Sequence, residues 1–168
     1  PWDKARPGLR AWWEGPSARA LARDPLLLAL LRETIVADEA AEQLVVLLRR
    51  LLLEDLVAGR ALDEDLAAAI ACQAWASEFV LAESKAEARA LATLPDGTDG
   101  VLAWVMYRPL AAREGADKLR GRSAPLDEMF RRQVDEPAQE RQLAMAVPEL
   151  TAIADQVSRA VRQQYERP

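Results

Sequence analysis

Apolar positions recur every three or four residues along most of this chain, the spacing of helices that bury one face. Asp24-Pro25 reads as an N-cap followed by proline at the first helical position, and PLLLALLRETIV carries that helix to about Val36. Asp38 caps the next one, which runs to about Ala58 with Gly59 just past its end. Its blocks LVVLL (44–48) and LLL (51–53) make it apolar around most of its circumference, the pattern of a central, surrounded helix. Arg49, Arg50, Glu54 and Asp55 mark its one wet side, with Arg50 and Glu54 spaced to pair.

Asp63 caps a third long helix to about Ala82, with Leu66, Ala69, Ile70, Ala74, Phe79 and Val80 as its apolar stripe. Ser84 with Glu87 forms a capping box that opens a short helix to about Leu94, and PDGTDG (95–100) is a turn cluster. VLAWVMY (101–107) fits either a strand or a helix. It is read as helix because no second strand exists to pair with it, and it ends before Arg108-Pro109. Residues 113–124, holding Arg113, Lys118, Arg120 and Arg122 beside Gly115 and Gly121, read as a mobile loop. Helices follow from about Pro125 to Val134, from Pro137 to about Met145, and from Glu149 to Tyr165.

The first 16 residues, punctuated by Pro1, Pro7, Gly8, Gly15 and Pro16, read as irregular. Trp2, Trp12 and Trp13 in that arm need a surface to pack on, in this domain or in a neighbour. The expected fold is therefore all-α, a single irregular bundle of about seven to nine helices. A Trp-rich N-terminal arm with a short helix spans 1–23, and a helical domain ending in a long strut helix spans 24–168.

Composition narrows the function classes. At 168 residues with 51% apolar and 29% charged residues, the chain is long enough for one real core and too apolar for disorder. Its most apolar stretch, 44–57, is broken by charges well short of the roughly 20 residues a membrane span needs. A net charge of -5 gives no long-range pull toward nucleic acid or anionic lipid. There is no His, so His-based nucleophilic triads and His-ligated metal sites are excluded, and the single Cys72 excludes an internal disulfide. The chain begins at Pro1 without a secretory leader pattern, which suggests a segment of a longer or processed polypeptide and a cytoplasmic location.

No motif gathers a chemistry. Most of the clustered acids, Glu54/Asp55, Asp63/Glu64/Asp65, Asp127/Glu128 and Asp135/Glu136, sit at helix starts or wet faces, where caps and the helix dipole explain them. DGTDG (96–100) lacks the later ligands of a calcium loop, and the basic loop 113–122 has no interleaved aromatics to hold nucleic acid. Cys72 on an apolar face is a small buried hydrophobe, and Trp75 and Trp104 are core anchors or, alternatively, partner anchors. YRPL (107–110) places Tyr107 and Arg108 at a defined corner suited to docking against a neighbouring domain.

The C-terminal stretch EPAQERQLAMAVPELTAIADQVSRAVRQQYERP (136–168) resembles the linker that leads into the catalytic domain of bacterial tetratricopeptide-repeat-linked class I S-adenosylmethionine-dependent methyltransferases. The matching residues are Glu136, Pro137 and Glu140, then Pro148, Leu150, Thr151 and Ile153, then Val157, Ser158, Val161, Arg162, Gln164, Tyr165 and Glu166. DPLLLALLRETIVAD (24–38), LRRLLL (48–53), CQAWASEFV (72–80) and YRPL (107–110) are similar to the helical region before that linker. That family has Asn-Glu-Tyr-Val where this chain has Ser77, Glu78, Phe79 and Val80, and it continues into an Asn-Pro-Tyr-Pro-Arg-Trp segment and a Rossmann-like fold where this chain ends at Arg167-Pro168.

The resemblance implies a non-catalytic helical accessory domain that positions a protein substrate or braces the catalytic fold. It also implies S-adenosylmethionine as the cofactor of a parent chain, with no cofactor, catalytic residue or metal in these residues. Trp12, Trp13, Tyr107, Arg108, Arg162, Gln164, Tyr165 and Glu166 are the candidate interface to a partner protein or an adjacent domain. The alternative is a free-standing helical interaction or self-association module, with an apolar surface around Trp12, Trp13 or the last helix. An independent enzyme working through carboxylates or a bound metal is the third possibility, disfavoured by the missing His and the scattered acids.

Overall fold

The computed structural model describes residues 2–147 together with Val157, Ser158, Val161 and Gln164, with side chains described from Arg6 onward. Local capping chemistry starts its helices where the sequence predicts. Asp24 accepts from Leu26 N at 2.8 Å and opens α3 (Pro25–Glu33), and Asp38 accepts from Ala41 N at 2.9 Å and opens α4 (Glu39–Val57). Asp63 caps α5 (Glu64–Ala76), and the Ser84/Glu87 capping box opens α6 (Lys85–Leu91). Residues 101–105 are helical within α7 (Thr98–Val105), as read. Among the described residues there is no strand, so the all-α expectation holds.

The first part of the N-terminal arm differs from its expected irregular form: it is α1 (Trp2–Trp13), with Pro7 inside it, and α2 (Pro16–Ala22) follows where a short helix was expected in the arm. An interior proline costs a helix about 3 kcal/mol. Tertiary anchoring offsets that cost: Trp13 Nε1 donates to Asp55 Oδ2 at 2.6 Å, Arg10 also pairs with Asp55, and both Trp12 and Trp13 pack against the core.

The central helix is α5, where the sequence pointed to α4. Leu66 through Ala74 are nine consecutive buried residues, and α3, α4, α7 and α8 (Ala124–Phe130) all pack on α5. Its alanines at 67, 68, 69, 71 and 74 leave room for neighbours on every side, which bulky leucines do not. Helix α4 buries Val45, Leu48, Leu51, Leu52 and Leu53 but leaves Val57 exposed.

Helix α5 also stops six residues short of the expected Ala82. Glu78 (φ 53°) and Phe79 (φ 59°) turn left-handed, with Phe79 N bonded back to Ala74 O. No glycine announces this stop. Phe79 instead packs edge-on against Trp75, with ring centroids 6.1 Å apart. Residues 110–119 hold two short 3₁₀ turns, Leu110–Ala112 and Ala116–Leu119. Helix α8 then joins α9 (Glu136–Ala146) through a π-helical turn, Arg131–Asp135, so the two helices expected on either side of residue 135 form one run.

Two units emerge from the contacts, residues 1–137 and residues 138–168, and α1 and α2 belong to the first. In the second, Leu143, Met145 and Val147 are exposed, as are Val157 and Val161 in the helical turns described there. The rest of the helix expected over 149–165 lies outside the described residues.

Candidate functional site

Adjacent arginines on α4 diverge by about 100° around the helix axis, and the structure uses them differently. Arg49, read from sequence as part of the wet side, is only 1% exposed. Its guanidinium lies 4.0 Å from the centre of the Tyr107 ring and donates to three backbone carbonyls, those of Met106 (3.3 Å), Leu81 and Ala82. It thereby ties the segment that follows the left-handed turn after α5 to the end of α7. Burial pulls the Arg49 pKa down from its ordinary value, while Tyr107, Glu87 and Glu83 act against that pull.

Tyr107 is equally deep, and its hydroxyl donates to Glu87 Oε1 at 2.9 Å. Burial, then the neighbouring Glu87 carboxylate, push the tyrosine pKa up, so the hydroxyl stays a donor. Glu87 is 4% exposed and accepts as well from Arg50 Nη2 at 2.9 Å and from Ser84 N at 2.8 Å. Burial pushes its carboxyl up, but hydrogen bonds from Arg50, Ser84 and Tyr107 outweigh burial and hold it below the ordinary glutamate range. The capping-box glutamate is thus also the hub of a buried polar knot. The sequence signal for that second role is weak.

Arg50 pairs with Glu87 on α6 rather than within its own helix alone. Glu54 lies against Arg6 (3.3 Å) and Arg10 (3.9 Å) on α1. Above the Arg50–Glu87 pair opens a cleft of about 580 Å³ between α4 and α6. Leu53, Val57, Ala58, Ala86 and Ala90 line its walls, and Arg6 and Glu54 lie at its α1 side.

The remaining buried or half-buried charges act as clasps. Glu128 accepts from Arg32 (3.0 Å) and Arg132 (3.1 Å), and Arg132 also reaches Glu33 at 2.6 Å, joining α3 to α8. Cys72 Sγ lies 3.8 Å from Glu128 Oε1, and burial, then that carboxylate, push its thiol up to about 12. With its amide oriented to satisfy both groups, Gln73 donates to Thr34 O (2.9 Å) and accepts from Val36 N (3.2 Å). Among the described residues, no three Cys, Asp or Glu side chains gather as a metal site would need.

The expected interface residues are placed as follows. Trp12 and Trp13 are half-buried on the core of their own unit, with ring centroids 6.3 Å apart. Tyr107 is interior, whereas Arg108 is 41% exposed and forks onto Glu83, with Nη2 to Oε1 at 2.8 Å. Gln164 is exposed, and Arg162, Tyr165 and Glu166 lie outside the described residues. Trp75 and Trp104 are both half-buried, and Trp104 donates to Pro109 O at 3.2 Å beneath the Arg113 guanidinium.

Sequence reasoning missed Arg49 and the cleft. A usable signal existed: 19 of the 22 basic residues are Arg, the cation suited to bridging several carbonyls or carboxylates from within a fold. Against known proteins the chain finds no counterpart, since no family model, no curated protein and no solved structure matches it.

Proposed function

We propose that this chain is the non-catalytic helical accessory domain of an S-adenosylmethionine-dependent methyltransferase, positioning a protein substrate or bracing a catalytic fold that lies elsewhere in the parent chain. The observation that carries the reading is where the four upstream segments similar to that family lie. LRRLLL supplies Arg49, YRPL supplies Tyr107, and the two meet in one buried stack that also grips the carbonyls just after CQAWASEFV. Gln73 of CQAWASEFV in turn holds the end of DPLLLALLRETIVAD. These side chains are spent on one another, as befits residues that define a scaffold rather than a reaction centre.

The test is calorimetry with S-adenosylmethionine on the 168-residue chain and on a longer gene product continuing past Pro168. The expected result is no heat from the former and saturable binding by the latter. Tight binding by the 168-residue chain, or none by the longer one, sinks the assignment.

A second reading, a free-standing interaction or self-association module, draws on the outer side of α3. Leu26 (75% exposed) and Leu30 (42%) stand one turn apart there, with Ile35 (66%) just beyond. It predicts a mass that rises with concentration in light scattering and falls back to the monomer in Leu26→Glu/Leu30→Glu.

A further inference from the structure

Helix α3 packs on α5 and buries Leu31, and at about 100° per residue the opposite arc carries Leu26, Ala29, Leu30 and Glu33. All four are exposed, Leu26 at 75%. Ala29 sits at mid-helix and adds no bulk to hold a second helix away.

Opposite charges close the two ends of this strip. Arg23, exposed just before the capping Asp24, has no side-chain hydrogen bond or ion pair among the described residues. The Glu33 side chain is 64% exposed and gives Oε1 to Arg132, while its Oε2 has no partner among the described residues. Leu26 and Leu30 have residue 28 as their midpoint, and so do Arg23 and Glu33. Two antiparallel copies can be related by a twofold axis. The register that sets Leu26 against Leu30 of the second copy then also sets Arg23 against its Glu33, and the axis repeats both pairs. Parallel copies would set like charges against each other, which opposes association. A strip complementary to its own antiparallel image fits a second copy of this chain better than an unrelated apolar groove.

We infer that two copies of this chain associate through antiparallel α3 helices, with Leu26 packing on Leu30 and Arg23 pairing with Glu33 across the axis, an arrangement that rests on the self-association reading. Nine helical residues fall short of the about 20–30 residues a side of a standard interface, so the dimer is weak, with a dissociation constant on the order of 100 μM.

Sedimentation velocity of the 168-residue chain from about 10 μM to about 1 mM tests the pairing. The expected result is a reversible monomer–dimer equilibrium that Leu26→Glu/Leu30→Glu abolishes. Arg23→Glu and Glu33→Arg should each weaken it about fivefold or more. The double variant Arg23→Glu/Glu33→Arg restores both pairs with the signs exchanged and should return to within about twofold of wild type. Circular dichroism checks that each variant folds. Glu33→Arg gives up the Arg132 contact. Arg23→Glu breaks no side-chain hydrogen bond or ion pair among the described residues, so it decides the case by itself if Glu33→Arg unfolds.

A monomer at every concentration would remove the dimer and the self-association reading together. Association that persists in Leu26→Glu/Leu30→Glu would overturn the seat on α3. Association lost in that variant but unmoved by Arg23→Glu, or not regained in the double charge swap, would leave the self-association reading standing and overturn the antiparallel pairing.

Discussion

Replacing Arg49 by alanine removes a guanidinium that holds three carbonyls and a ring beneath the segment that follows α5. Ala82 is exposed, so water can reach its carbonyl, but the carbonyls of Met106 and Leu81 belong to buried residues. Each orphaned buried acceptor costs about 1–3 kcal/mol. Loss of the aliphatic stem adds a void against Tyr107, whereas release from burial returns part of the desolvation cost of the charge. The net expectation for Arg49→Ala is a loss of about 3–5 kcal/mol, the usual penalty for breaking a buried charged cluster. Out of a total of about 5–15 kcal/mol that is a large fraction. Arg49→Met keeps most of the stem and should lose only about 2 kcal/mol, from the two orphaned carbonyls less the relieved desolvation. Urea unfolding followed by far-ultraviolet circular dichroism measures both, with an unchanged slope as the check that unfolding stays two-state. Amide exchange adds the local readout, since protection over residues 80–82 should fall first. A loss below about 1 kcal/mol in Arg49→Ala would refute the claim that this guanidinium organises the loop.

Five further outcomes follow from the structure. A Cβ on Gly100 would sit 2.0 Å from Pro95 O, so Gly100→Ala should cost about 1–3 kcal/mol in thermal unfolding. Gly8→Ala, in α1 with nothing within 4 Å, should gain up to about 1 kcal/mol. Glu78→Gly should stabilise by about 0.5–1 kcal/mol in urea, because Glu78 is exposed and held at φ 53° without a glycine's freedom. Glu87 has a depressed folded-state pKa, so its contribution is present above the ordinary glutamate range and lost as pH falls through the folded value; the stability gap between wild type and Glu87→Gln should shrink as pH falls below the ordinary glutamate range. Cys72, with its thiol raised to about 12 and its side chain buried, should react with a thiol reagent at pH 8 only as fast as the protein opens, and at once in denaturant.

How much of this was legible depended on range along the chain. Asp24, Asp38, Asp63 and Ser84 were read as caps because a cap's partners lie two or three residues away. The end of α5 was missed because its left-handed turn uses Glu78 and Phe79 without a glycine, while Phe79 packs on Trp75 and Arg49 on another helix grips the carbonyls that follow. Helix α1 was missed for a related reason. Pro7 and Gly8 argue against helix locally, and the compensating bonds reach to Asp55, more than 40 residues on. The candidate cleft was invisible because its walls come from α4 and α6, whose pairing no spacing rule specifies.

The ordering of α4 and α5 carries the more general lesson. Counting apolar residues favoured α4, where leucine and valine dominate, as the buried centre. Burial in a helical bundle is limited by how many neighbours can approach an axis, and small side chains permit more of them than large ones. The Ala-rich α5 is packed by α3, α4, α7 and α8, whereas the Leu-rich α4 packs on α5, α6 and α7 and leaves Val57 in solvent. Arg49 and Arg50 are indistinguishable by type and adjacent in sequence, yet one is sealed under Tyr107 and the other floors an open cleft. A 100° step around a helix decides which, and that step acquires meaning only after α6 and the end of α7 have chosen the face they cover. In a chain whose cations are nearly all arginine, the residues most able to cross-link the fold are therefore those whose partners a linear reading is least able to assign.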